Sequence, residues 1–187
     1  MIDFGLFLIR LTVGGLLAGH GAQKLYGWFE GYGLEGTAGF MESLGFRPGK
    51  QWAFLAGFSE FGGGLLTAVG LGHPVGPIMT LGSMGMAQLA VHAGKPIWVT
   101  SGGGELPITN MAAAIGVALA GPGKFSLDRV FGFRVPGWIS VSTLLATLGG
   151  IFIGLGSRQQ AVSQQQPAAP ASQAEDNVTP LRSEEAA

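Results

Sequence analysis

The sequence predicts an all-α fold, a membrane helix bundle of four helices followed by a fifth, C-terminal transmembrane helix. Three observations predict it. Only 11% of the 187 residues are Asp, Glu, Lys or Arg while 47% are apolar, where a soluble domain carries roughly 25% charged residues. Between Gln51 and Gly94, His73 and His92 aside, Glu60 is the sole acidic or basic residue, and such a segment cannot clothe a water-facing surface. The apolar runs are continuous rather than alternating, which argues for helices and against barrel strands. The 34 glycines suit close contact between helices in lipid.

The elements follow in order. The first apolar segment runs from about Phe4 to Phe29. It begins after Asp3 with no basic n-region and no clean small-x-small cleavage site, so it is expected as a retained span rather than a signal peptide. Residues 31–50 predict a short amphipathic helix in which Phe40, Met41 and Leu44 share a face, ended by Gly45 and Pro48. The second and third apolar segments run from about Trp52 to Leu71 and from about Val75 to Ala93. Each is near the ~20 residues that cross a bilayer core. The fourth, about Leu106 to Ala120, is shorter and opens with Pro107 in its first turn. The fifth runs from Gly137 to Gly156. From Ser157 onward the chain is rich in Gln, Ala, Pro and acidic residues and is expected as a disordered polar tail. Two GxxxG patterns, Gly15 to Gly19 and Gly150 to Gly154, are candidate packing seams.

Composition also excludes functions. The net charge is −1 and the basic residues are scattered, so a nucleic-acid partner is not expected. Absence of cysteine excludes disulfides, thiolate metal sites, iron–sulfur clusters and any thiol relay made by this chain alone.

The polar residues inside the spans carry the functional signal. If the first segment ends at Phe29, His20 lies roughly 14 Å and Lys24 roughly 8 Å below that membrane face, here called the far face. Glu60 falls roughly 12 Å below the same face on the returning segment, with Gln88 and His92 within about 9 Å of it. At 100° per residue His20, Gln23 and Lys24 share one face of their helix, and Gln88 and His92 share one face of theirs. Glu105 stands at the start of the fourth segment on the same side. Arg10 points to a similar sector but nearer the other membrane face, and belongs to a separate contact. An unpaired carboxylate at the depth of Glu60 costs several kcal/mol, so Glu60 must be paired or protonated.

Each residue also has a purely structural explanation. Lys24 can snorkel to headgroups, His20 can be a packing histidine, and a Glu60 pair with Lys24 or His20 can be interhelical glue. Glu105 is a favourable charge at a helix N-terminus. The four tryptophans Trp28, Trp52, Trp98 and Trp138 fit an aromatic belt. The close-spaced Lys124, Arg129 and Arg134 lie toward the other membrane face, here called the near face, and favour placing it on the cytoplasmic side.

At "LIRLTVGGLLAGHGAQKLYGWF", "GFMESLGFRPG", "LAGFSEFGGGLLTAVGL", "AVHAGKPIW" and "GGGELPITNMAAAIGVALAGPGKFSLDRVF" the chain resembles the DoxX family of small membrane proteins. The resemblance covers residues 4 to about 133. It implies a DoxX-like four-helix membrane domain over residues 1–133, with an additional transmembrane helix at 134–156 and the polar tail at 157–187 outside the family core. It further implies a multi-pass cell-membrane protein related to the membrane subunit of thiosulfate:quinone oxidoreductase.

Two functions from different classes follow. In the first, the chain is the membrane subunit of an oxidoreductase complex with a polar intramembrane pocket for a quinone headgroup. His20, Lys24 and Glu60 then do the chemistry, and Gln23, Gln88, His92 and Glu105 bind substrate. No cofactor motif supplies electrons, so a membrane or soluble redox partner protein is implied. In the second, the chain is a non-catalytic module that assembles or stabilises a membrane complex.

Overall fold

The computed structural model describes residues 1–165, and every regular element among them is helical. Helix α1 spans Ile2–Tyr26, with one wide π-turn at Arg10–Gly14. It stops at Gly27, whose φ of 73° is the left-handed conformation that closes a helix and that glycine adopts without strain. The span therefore ends three residues before Phe29. The short helix α2 covers Gly33–Ser43. It buries Thr37 and Ala38 against the bundle, while Phe40 is exposed and Met41 and Leu44 are half-buried. Close approach decides this: the carbonyl of Ala38 lies against Gly49, where a side chain would collide with it.

Helix α3, Gly49–Val69, returns alongside α1 and ends at Gly70 with φ 66°. Helix α4, Val75–Ala87, continues through a π-turn over Gln88–His92. Helix α5, Glu105–Ala120, carries Pro107 in its first turn, where the missing N–H leaves no intrahelical bond unmade. A single turn, α6, Leu127–Phe131, is capped by Ser126, whose hydroxyl accepts the Arg129 N–H at 3.2 Å. Helix α7 runs Gly137–Gln165, past the expected end at Gly156. The polar tail expected beyond it lies, after residue 165, outside the described residues.

Helices α1 and α3 form the tightest contact, a seam of small residues. A Cβ placed on Gly21 would sit 2.2 Å from the backbone nitrogen of Phe61, and one on Gly64 would sit 2.5 Å from that of Ala18. Gly14 meets Gly64 and Ala68 in the same way. Lipid supplies no hydrophobic drive between helices, so this backbone proximity and its dispersion energy hold the pair. The seam is not the one suggested by the GxxxG spelling: Gly15, Gly19 and Gly150 all face open space. Gly154 alone of those four packs, against Trp52 and Met86.

Three described helices are long and apolar enough to cross a membrane, Ile2–Tyr26, Gly49–Val69 and Gly137–Ala161, and Glu105–Ala120 is a shorter apolar helix. The outer surface agrees, with Leu16, Phe54, Leu55, Phe58, Leu119 and Phe152 exposed. In water this surface would aggregate; in a bilayer it is the solvated face. Helix α7 lies on α4 with only 6% of its apolar window buried. Its far end is fastened by Arg158, which donates to the Leu44 carbonyl at 2.8 Å and covers the Phe46 ring.

Candidate functional site

The far end of the α1–α3 seam holds an ion pair. Lys24 Nζ donates to Glu60 Oε2, the lysine from α1 and the carboxylate from α3. Glu60 is 3% exposed, while the Lys24 side chain keeps 29% of its surface accessible. The seam sets this geometry. Gly57, one turn before Glu60, admits Leu25 and the Lys24 Cβ, and Gly21 admits the Phe61 backbone. Any larger residue there would push the helices apart and lengthen the pair. The carboxylate thus faces the neighbouring helix and not hydrocarbon.

His20 stands one turn before Lys24 on the outer side of the pair and is exposed, yet close enough to Glu60 to act on it electrostatically. Its Nδ1 lies 3.0 Å from Gln23 Oε1. Gln23 Nε2 is committed as donor to the Phe29 carbonyl at 3.2 Å. With the amide so assigned, Oε1 must accept from Nδ1–H, which leaves Nε2 of the neutral ring as a lone-pair acceptor directed outward. Gln23 also steadies the turn after α1, where Phe29 and Glu30 both take positive φ. Tyr26, Trp28 and Phe61 form an aromatic wall beside the site, with ring centroids 5.3 and 5.5 Å apart.

Gln88, His92 and Glu105 form a different group. The π-turn at the end of α4 directs His92 Nδ1 to the Gly102 carbonyl at 2.9 Å. Glu105 accepts the Val99 N–H at 3.0 Å, folding the 97–105 loop back over the helix start. Gln88 packs against Gly104, and its buried Oε1 has no hydrogen-bond partner among the described residues. The hydrogen bonds of His92 and Glu105 run to this loop, none to Glu60. Trp52 likewise turns inward, 5.5 Å from Phe46, and lines a cavity between α3, α4 and α7, whereas Trp28, Trp98 and Trp138 are exposed.

At the opposite end lies a cluster whose centre, Asp128, has no local sequence signal. Asp128 Oδ1 and Oδ2 accept the N–H groups of Gly72 and His73, each at 2.8 Å. This clips the α3–α4 turn to α6. Arg10, 1% exposed, leaves the π-turn of α1 to donate from Nη2 to the Phe125 carbonyl. Asp128 lies near enough to attract it. Arg10 Nε and Nη1 have no partner among the described residues. His73 Nε2 meets the Ala118 carbonyl at 3.1 Å, so that nitrogen carries the hydrogen. Burial lowers the His73 pKa from its ordinary value, opposed by the Ala118 bond and by Asp128. The spacing of Asp128 from Gly72, across two helices, is why periodicity could not reveal the clip.

Among the described residues no group of three His, Cys, Asp or Glu side chains converges to hold a metal ion. The fold and the buried interhelical ion pair define an all-helical integral membrane protein. Residues 5–93 match the DoxX family model, and over that segment the chain belongs to the DoxX family. The match takes in α1 to α4 and the whole Lys24–Glu60 site, and stops before α5 and α7. No curated protein and no solved structure matches the chain.

Proposed function

We propose that this chain is a multi-pass cell-membrane subunit of an oxidoreductase complex, and that the His20–Lys24–Glu60 site receives the headgroup of a lipid-borne quinone. The observation that carries the reading is the placement of His20, a polar ring exposed on the outer face of a membrane span beside a buried charge pair. An imidazole about 9 Å inside the helix end loses hydration on entering lipid, and a polar occupant restores a partner to its outward nitrogen. Aromatic side chains flanking the site suit a flat ring.

The chemistry divides among this chain's own groups. Lys24, partly accessible, donates to one carbonyl oxygen. Protonated His20 donates to the other, and neutral His20 accepts a quinol hydroxyl proton through Nε2. Glu60, shared with Lys24, passes protons inward. Reduction of a quinone takes two electrons and two protons; the electrons come from a partner redox protein, and the protons pass through His20 and Glu60. Gln23 fixes the ring orientation of His20. Gln88, His92 and Glu105 shape the loop 97–105 at the same end of the bundle.

The test is the optical spectrum of a lipid extract from protein purified out of native membranes, together with Glu60→Gln in the assembled complex. Co-extracted quinone, and loss of quinone-linked activity with protein levels unchanged, are expected. Full activity in Glu60→Gln rejects the proton route. A second reading, a non-catalytic assembly module, is favoured by the glycine seam, which would need the ion pair only as interhelical glue. It predicts that Glu60→Gln lowers protein abundance and complex assembly in proportion to activity.

A further inference from the structure

The near end carries a cleft of about 530 Å³ lined by His73, Pro122, Asp128, Arg129, Phe133 and Arg134 among others. That volume falls within the range of small-molecule sites, about 300–1,000 Å³. Its charge is unbalanced. The Asp128 carboxylate in its wall is already occupied by two backbone N–H groups, and buried Arg10 stands behind it. Arg129 and Arg134 are exposed, and neither has a carboxylate within ion-pair distance among the described residues. Lys124, by contrast, is paired with Asp3 at 3.6 Å. The cleft therefore presents two free guanidinium groups, the side chains best shaped to bind a phosphate through paired N–H donors.

The surroundings identify the kind of phosphate. Phe133 and Val135 line the cleft beside the arginines, and Val130, Phe131 and Trp138, next to its lining residues in the chain, are exposed at the same end, where α7 begins. Aromatic and aliphatic groups beside arginine are the pattern of the membrane–water interface, with the rings at headgroup depth and hydrocarbon beyond. A soluble anion would use the arginines and leave these side chains in water. A phospholipid uses both.

We propose that this cleft is a binding site for an anionic phospholipid, with Arg129 and Arg134 gripping its phosphate and the Phe131–Phe133 edge lying along its chains. The site is independent of the ion pair at the far end. The test is native mass spectrometry of the full chain in detergent, offered equal amounts of phosphatidylglycerol and phosphatidylcholine with the same acyl chains. Wild type is expected to retain phosphatidylglycerol with a preference on the order of tenfold, from two arginines at the interface. Arg129→Gln with Arg134→Gln removes that preference, while Lys124→Gln keeps it. Both arginines are exposed, so their replacement leaves the fold intact, and the wild-type preference is read without any variant. Equal retention of the two lipids by wild type, or an undiminished preference in the double arginine variant, overturns the site. Stripping of bound lipid by millimolar inorganic phosphate, with no discrimination between lipids, assigns the cleft to a soluble anion and overturns the lipid assignment.

Discussion

Replacing one partner of the Lys24–Glu60 pair at a time gives unequal losses, and the inequality follows from accessibility. Glu60 is 5% accessible at its side chain and Lys24 is 29%. In Lys24→Met the carboxylate stays where the glycine seam holds it, with nothing opposite. Removing one partner of a buried pair in this way costs about 3 kcal/mol or somewhat more. In Glu60→Gln the ammonium has a way out along its own alkyl chain toward the headgroups, and the amide still accepts a hydrogen bond, so the loss is about 1 kcal/mol. The double variant Lys24→Met with Glu60→Gln leaves no buried charge and is more stable than Lys24→Met alone. A double-mutant cycle then returns a coupling of about 2 kcal/mol. Reversible unfolding of the purified protein in mixed micelles measures all four states. An equal or larger loss in Glu60→Gln than in Lys24→Met, or strict additivity in the double variant, refutes the asymmetric burial on which the site is built.

Other consequences are equally open to measurement. Gly21→Ala and Gly64→Ala force a Cβ into backbone at 2.2 and 2.5 Å and should destabilise by about 1–3 kcal/mol or more, whereas Gly15→Ala and Gly19→Ala meet open space and should be neutral or slightly stabilising; thermal melts of the four variants decide. Asp128→Asn leaves one acceptor oxygen for two backbone N–H groups, those of Gly72 and His73, and removes the charge facing Arg10, for a loss of about 2–4 kcal/mol in the same assay. The His73 pKa is lowered from the ordinary 6.5, so the folded protein binds fewer protons than the unfolded chain between the lowered value and 6.5. Its contribution is complete above pH 6.5 and declines as pH falls through that window. Melts at pH 8 and pH 5 should differ in that direction, and His73→Asn should flatten the difference.

The all-helical membrane fold was legible because lipid imposes it: a chain with Glu60 as its one carboxylate or basic group across residues 51–94, histidines aside, has few other ways to satisfy its backbone. The pairing of Lys24 with Glu60 was legible for a related reason, since depth along a helix is set by rise alone and the two residues fall within about 4 Å of one another in depth, less than the reach of a lysine side chain. Rotation about the helix axis was less so. His20 shares a face with Lys24 by the 100° rule, yet it projects past the seam and is exposed, because the sector filled by α3 is narrow and is taken by Gly21, Lys24 and Leu25. The seam itself was hidden by spelling: Gly14, Ala18 and Gly21 do the packing while the textual GxxxG at Gly15 and Gly19 faces outward. Gln88 and His92 sit on a π-turn, which rotates side chains away from the direction an ordinary helix gives, and their loop from 97 to 105 has no periodicity to read. The Asp128 clip joins segments 55 and 56 residues apart, a relation that a local pattern does not encode.

Whether the His20 site takes a quinone headgroup is decided by equilibrium binding of a short-chain quinone to the purified chain, wild type against His20→Leu, because His20 is exposed and its loss spares the fold. Saturable binding at one site per chain is expected, weakened about tenfold in the variant by loss of one charge-assisted hydrogen bond. Saturable binding of equal strength in both, or no saturable binding by wild type, contradicts the quinone site.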